Sequence, residues 1–293
     1  MDKRKDLQGR LALLVTTLIW GSSFVILKST LDTITPLWLL SIRFCGAAIV
    51  MLALCYKKIR LIDRQHIKGG VLMGVFLSAA YTVQTYGLVY TTPGKNAFLT
   101  ASYCIIVPFL YWLISGKKPD KFNISAAIVC IVGMGFVCLN NDLTVNIGDI
   151  LTICCGLFYA LHIITTAKSV DGRDPLLLTV IQFITAGIVC LVFAALFEPT
   201  PKAIPASSVW SIAYLVIMCT GVCYILQTFG QKYTPPAAAS VLLSLESVFG
   251  TVISIAIGQE NLTVSIVLGF ILIFTAVLIS ETKLEFLRKK ADT

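Results

Sequence analysis

Charge is scarce inside the long apolar stretches of this 293-residue chain, so each ionisable group found there is a candidate for chemistry. Glu246 sits about ten residues into one such stretch, roughly 13–15 Å deep if that stretch is helical. A carboxyl at that depth suits a reversible proton site or a counter-ion for an amine, and it equally suits a structural polar contact between helices. Arg43 lies about seven residues, near 10 Å, from the end of another stretch. Its guanidinium could grip a carboxylate or phosphate with two parallel hydrogen bonds, or snorkel to the surface, or pair with Asp32. His162 would titrate near neutral pH if it faced a wet cavity, whereas a lone histidine more often hydrogen-bonds a neighbouring helix.

Around these three lie Trp20, Tyr81, Gln84, Tyr103, Tyr159, Tyr224 and Gln227, again within apolar stretches. Aromatic walls with a few polar groups form a general small-molecule site, so these residues join Arg43, His162 and Glu246 as candidates for binding a substrate. Packing between helices is the competing reading for each. Enzyme chemistry finds no support. The chain has two histidines, His66 and His162, and no HExxH, GxSxG or GxxxxGK[ST] motif. With no ATP-hydrolysing domain and no expected cofactor or metal, any pumping must borrow an ion gradient or follow the solute's own. Were a proton the coupled ion, Glu246 is where it would bind.

The elements that position these groups follow from composition. The chain is 57% hydrophobic and 13% charged, against about 25% charged in soluble domains. Apolar stretches recur at 8–29, 36–56, 67–90, 95–115, 121–139, 147–168, 175–197, 207–230, 237–257 and 262–280. Each matches the roughly 20 residues a helix needs to cross a bilayer, and backbone groups in lipid must be satisfied within the segment. Ten transmembrane helices and an all-α integral membrane fold are therefore expected. The first stretch is too long for a signal-peptide core and reads as a retained helix. All ten cysteines fall within the spans and read as small buried hydrophobes; Cys219 and Cys223 share a helix face but lack further metal ligands.

The net charge of +8 is distributed like that of a membrane protein and not like that of a nucleic-acid binder. With the N-terminus inside and sides alternating, inner segments hold nineteen Lys and Arg and outer segments three: Lys28, Lys95 and Lys202. That partition predicts cytoplasmic N- and C-termini. The halves are also copies. At an offset of 139, Gly9, Leu18, Pro36, Ile42, Phe44 and Ala47 meet identical residues; at an offset of 143, QTYGLVYTTP at 84–93 meets QTFGQKYTPP at 227–236. The units are 8–139 and 147–280. Each holds five spans, an odd number, so the second enters the membrane from the opposite side. Inverted repeats of this kind occur in secondary transporters, with the solute site at mid-membrane between them. The prolines at 93 and at 235–236 should break the helices, and the Tyr90–Pro93 and Tyr233–Pro236 segments are candidates for paired gate hinges or ordinary turns.

Several segments resemble the EamA branch of the drug/metabolite transporter superfamily: IWGSSFVILK at 19–28, LLSIRF at 39–44, NAFLTASYCIIVPFL at 96–110 and ASVLLSLESVFGTVISIAIGQENLT at 239–263. Ser247 stands where that family often has proline, and GKKP at 116–119 where an acidic residue is common. The resemblance implies a ten-helix carrier of metabolites, amino acids or drugs, often working outward. The combined expectation is a multi-pass cell-membrane exporter of small metabolites that works by alternating access, with the lipid bilayer and a small-molecule substrate as its partners. A nucleotide-sugar or lipid-precursor carrier would want more cations than Arg43. A non-transporting membrane sensor would want a signalling domain.

Overall fold

The computed structural model describes residues 3–116, 118–138, 146–259 and 261–282. Lys117, Lys283, Arg288, Lys289 and Lys290 of the charge count, residue 139 at the end of the first repeat, and the side chains of Lys3 and Cys138 lie outside what is described.

Every regular element among the described residues is helical: α1 (Lys3–Leu31), α2 (Pro36–Cys55), a 3-10 turn at Ile59–Leu61, α3 (Arg64–Val89), α4 (Pro93–Thr100), α5 (Tyr103–Ser115), α6 (Lys121–Cys138), α7 (Ile147–Ser169), α8 (Pro175–Phe197), α9 (Ala206–Tyr214), a π-helical stretch Leu215–Val222, α10 (Cys223–Tyr233), α11 (Pro236–Leu243), α12 (Leu245–Ala256) and α13 (Val264–Thr282). Four helices open on proline at their first position (Pro36, Pro93, Pro175, Pro236), where the missing N–H costs nothing. Asp63 and Asn146 start α3 and α7 with reciprocal capping boxes.

Among the described residues, eight helical rods are long and apolar enough to cross a membrane, counting α4–α5, α9–α10 and α11–α12 as one rod each. Two shorter apolar helices, Lys121–Gly133 and Val264–Ala276, lie at the other two expected spans, and they belong to α6 and α13, which pack on each other. The remaining rods form one bundle: α3 against α7 and α8, α2 against α8, and α1 against α10 and α12. Large apolar side chains such as Leu54, Leu113, Leu196 and Val264 face outward, more than two-thirds exposed, while hydroxyls and amides such as Thr17, Thr85, Thr152, Thr228 and Gln182 are buried. That distribution inverts the soluble pattern and fits a lipid surround. Many buried hydroxyls spend their proton on a carbonyl one turn back, as Thr16 does on Ala12 and Ser23 on Trp20.

Two helices that read as continuous are broken in mid-course. The first break is at Ala101–Ser102, where the amides of Ser102 and Cys104 bond three residues back, to Leu99 and Ala101. Pro108 contributes, since its ring crowds the carbonyl of Cys104 and removes that carbonyl's amide partner. The second break is at Ser244, whose hydroxyl donates to Val241 and whose carbonyl accepts from the Ser247 hydroxyl. Hydroxyls competing for helix carbonyls loosen the turn. The two breaks match at the 143-residue offset of the repeat (101 to 244).

Helices α3 and α7 touch backbone to backbone at Gly87 and Gly148. A Cβ on Gly148 would lie 2.6 Å from the Gly87 carbonyl oxygen and 2.8 Å from Tyr90 Cβ. Backbone cannot yield as a side-chain tip can. Gly148→Ala is therefore expected to destabilise by about 1–3 kcal/mol, read as a lower melting temperature of the purified protein.

Candidate functional site

The rods enclose one chamber at their centre, bordered by Trp20, Ser23, Phe24 and Leu27 of α1, Arg43 of α2, Tyr81 and Gln84 of α3, Tyr103 of α5, Tyr159 and Ile163 of α7, Tyr224 and Gln227 of α10, Leu243 of α11 and Glu246 of α12. Nine of the ten candidate residues meet here, though they come from helices spread over the whole chain. The tenth, His162, does not. Its side chain is fully buried behind the chamber wall, its Nε2–H donating to Gln182 Oε1 at 3.0 Å and its ring against Tyr224 at 5.8 Å. One residue's rotation about α7 separates it from Ile163, which does border the chamber, and sequence position alone could not make that choice.

Five aromatic rings form the walls in a linked chain, Trp20 to Tyr224 at 5.1 Å, Tyr224 to Tyr81 at 6.2 Å, Tyr81 to Tyr159 at 5.7 Å and Tyr159 to Tyr103 at 6.1 Å. Polar bonds hold the rings in place. Trp20 Nε1 donates to the Cys219 carbonyl at 2.8 Å, and Tyr159 Oη donates to Gln84 Oε1 at 2.8 Å. Gln84 Nε2 in turn donates to Thr100 at 2.9 Å. Tyr103 Oη donates to Glu246 Oε1 at 2.9 Å, and both residues follow a helix break by two residues, so the breaks aim them at each other.

Arg43 neither reaches the surface nor pairs with Asp32. It is 1% exposed. Its Nε and Nη2 donate to Thr220 Oγ1 at 3.3 and 3.2 Å, and its guanidinium lies 4.9 Å from the centre of the Tyr81 ring. Thr220 was not expected from sequence. It sits in the π-helical stretch, where its own hydroxyl donates to the Leu215 carbonyl five residues back at 2.7 Å. Such wide turns gather at functional sites.

Ten of the fourteen lining residues pair up at the repeat offsets: 20 with 159 and 24 with 163 at 139, and 81 with 224, 84 with 227 and 103 with 246 at 143. Three counterpart pairs touch each other: Phe44 with Phe183 at 6.3 Å, Tyr81 with Tyr224, and Tyr103 with Glu246. The volume open to water-sized centres is ≈ 20 Å³, room for little more than one water. A small molecule can be held there only if the helices spread.

Both ends of the bundle are braced. At one end, Lys28 Nζ donates to the carbonyls of Leu88, Val89 and Thr91 at 2.7, 3.0 and 3.1 Å, Lys95 pairs with Asp149 at 2.7 Å, and Glu198 accepts from the Leu37 and Trp38 amides and from Tyr86 Oη at 2.6 Å. At the other end, Lys58 pairs with Asp174 at 2.9 Å and Lys232 donates to the Arg173 carbonyl at 2.8 Å. That end also opens into a vestibule of ≈ 750 Å³, bordered by Tyr111, Ala167, Lys168, Gln231, Lys232 and the Tyr233–Pro236 segment. Ala167 and Gln231 lie one turn beyond Ile163 and Gln227, and Gln231 Nε2 donates to the Ile163 carbonyl at 3.3 Å between the two spaces.

Partial burial pushes the Asp174 carboxyl up. Lys58, the Leu176 amide and Lys232 outweigh it and hold the group below its ordinary value of 3.8. A depressed carboxyl lends stability that is present above its unfolded value and lost as pH falls through the folded one. Asp174→Asn keeps the cap on Leu176 and removes the charge. It should lower the melting temperature slightly at pH 7, and the difference from the parent should vanish as pH falls below 3.8.

The family model for EamA-like transporters matches residues 7–139 and again 146–282. An Archaeoglobus fulgidus protein named an uncharacterized transporter is 32% identical over 275 residues, covering 94% of this chain and 86% of the relative. A Bacillus subtilis protein named uncharacterized transporter YoaV is 23% identical over 271 residues (90% and 93%), and protein PecM of Dickeya dadantii is 23% identical over 277 residues (93% and 92%). A crystal structure of a protein 14% identical in sequence superposes with a TM-score of 0.78 over 95% of this chain and 98% of the other, a likeness of fold alone. With the family model matched twice along a bundle of apolar helices around a polar chamber, the chain belongs to the EamA-like transporter family.

Proposed function

We propose that this membrane transporter is a secondary exporter of small metabolites, amino acids or related compounds. It works as ten spans in two inverted five-helix units, 8–139 and 147–280, with both termini in the cytoplasm of a cell-membrane protein. The observation that carries the reading is the central chamber built from counterpart residues. Residues related by a two-fold axis touch their own counterparts only beside that axis. The contacts Phe44–Phe183, Tyr81–Tyr224 and Tyr103–Glu246 therefore support an axis running through the chamber, which is where inverted repeats hold their solute.

The vestibule bordered by Lys168 and Lys232 is the cytoplasmic mouth in this reading, and the Gln231–Ile163 contact is the thin gate between mouth and chamber. The Lys28 and Lys95 braces form the thicker outer gate. Rocking of the halves opens one while the other stays shut. Glu246 carries the coupling proton. Among the described residues Arg43 is the one Lys or Arg that borders the chamber, which counts against nucleotide sugars and lipid precursors with their several phosphate charges.

The test is transport by the purified protein in proteoliposomes with a panel of radiolabelled amino acids and organic acids, with and without an imposed pH gradient. Accumulation of at least one solute above protein-free vesicles is expected. No movement of any solute, with correctly inserted protein, overturns the reading.

A further inference from the structure

Burying a guanidinium without a countercharge is costly, and buried donors and acceptors are normally satisfied. The chamber of this chain breaks these rules at Arg43 and at Gln227. Arg43 makes no ion pair among the described residues, and its Nη1 is covered and lacks a hydrogen-bond partner. Its other two nitrogens are held in a fixed direction by Thr220, whose hydroxyl proton is already committed to Leu215. Gln227, 2% exposed, leaves Oε1 without a donor. Glu246 is not within ion-pair distance of Arg43 and accepts instead from Tyr103. One lining residue thus offers an unused donor with a permanent charge, and another an unused acceptor.

We infer that the transported ligand is a small organic acid whose carboxylate seats on Arg43 Nη1; Gln227 Oε1, elsewhere on the chamber wall, is left to accept from a donor group of the ligand. This rests on the transport reading and narrows it to a substrate class. The aromatic walls take the remainder of the molecule, and their apolar faces leave its identity broad. A cationic amine without a carboxylate would meet Arg43 as a like charge in a low-dielectric space, and a neutral solute would leave that charge unpaired.

The experiment is ligand-induced thermal stabilisation of the purified full-length protein. The probes are the twenty amino acids and short-chain hydroxy and keto acids, each beside its amide and its decarboxylated amine. One or more acids should raise the melting temperature, with the matching amide and amine at least about tenfold weaker, the loss of a charge-assisted hydrogen bond. Arg43→Lys, which keeps the charge but not the planar fork, should weaken the acid at least about tenfold. Should that variant not fold, the acid-against-amide comparison in the unaltered protein decides alone. Equal binding of acid and amide, stabilisation by amines or neutral solutes only, or stabilisation by none of the acids overturns the assignment. An acid that binds but is not carried across proteoliposomes leaves this assignment standing and removes the transport reading. Carriage of amines but not acids does the reverse.

Discussion

Glu246→Gln is expected to abolish gradient-driven accumulation while leaving solute exchange near its normal rate. Glutamine keeps the side-chain oxygen that accepts from Tyr103 at 2.9 Å, so the contact between α5 and α12 survives and the chamber keeps its shape. What it removes is the proton-binding group. A one-unit pH gradient is worth about 1.4 kcal/mol per proton, hence about tenfold in accumulation. A carrier that has lost its proton site forfeits that factor and equilibrates its solute instead. The measurement compares uptake into vesicles with and without the pH step, beside exchange of labelled for unlabelled solute. Undiminished response to the pH step would take Glu246 out of the coupling. Loss of both uptake and exchange would mean that its role is in the chamber's structure.

Cysteines placed at 63 and 203 in separate variants should react with a membrane-impermeant thiol reagent from opposite sides of the membrane. The first position precedes α3 and the second precedes α9, and the two occupy equivalent places after the second helix of each unit. Parallel copies would put them on one side; inverted copies put them on two. Asp63 is exposed and caps α3 through the Gln65 and His66 amides. Substituting it removes a cap worth about 1 kcal/mol, too little to unfold a bundle of this size. Intact cells label the 203 position alone if the termini are cytoplasmic, and opened cells label both. Labelling of both from one side would remove the two-fold axis through the chamber and the rocking mechanism with it.

Much of the site was legible because lipid makes polarity expensive. A buried arginine, glutamate or glutamine in an apolar stretch needs a reason to be there, so collecting such residues and the aromatic ones around them found nine members of one chamber before any helix was placed. The helix starts were legible for a similarly local reason. Pro36, Pro93, Pro175 and Pro236 each tolerate only the first turn, and all four open helices. Direction about the helix axis was not legible. In spans made mostly of apolar residues there is little amphipathic contrast, and the inward and outward faces of a helix read alike. His162 and Ile163 are adjacent in sequence, and only packing put the second at the chamber and the first behind it.

By itself, then, the sequence determined the kind of protein: long apolar helices, a duplicated unit, positive charge gathered in alternate segments between the apolar stretches, and a short inventory of groups able to do chemistry. These are one-dimensional properties, set by length, composition and offset. The tertiary structure alone decided the breaks at Ala101–Ser102 and Ser244 that bring Tyr103 to Glu246, the π-helical turn that presents Thr220 to Arg43, and which atoms are left without partners. Those depend on hydrogen bonds that a hydroxyl can make to several carbonyls. Which one it makes is settled by the neighbouring helix pressed against it.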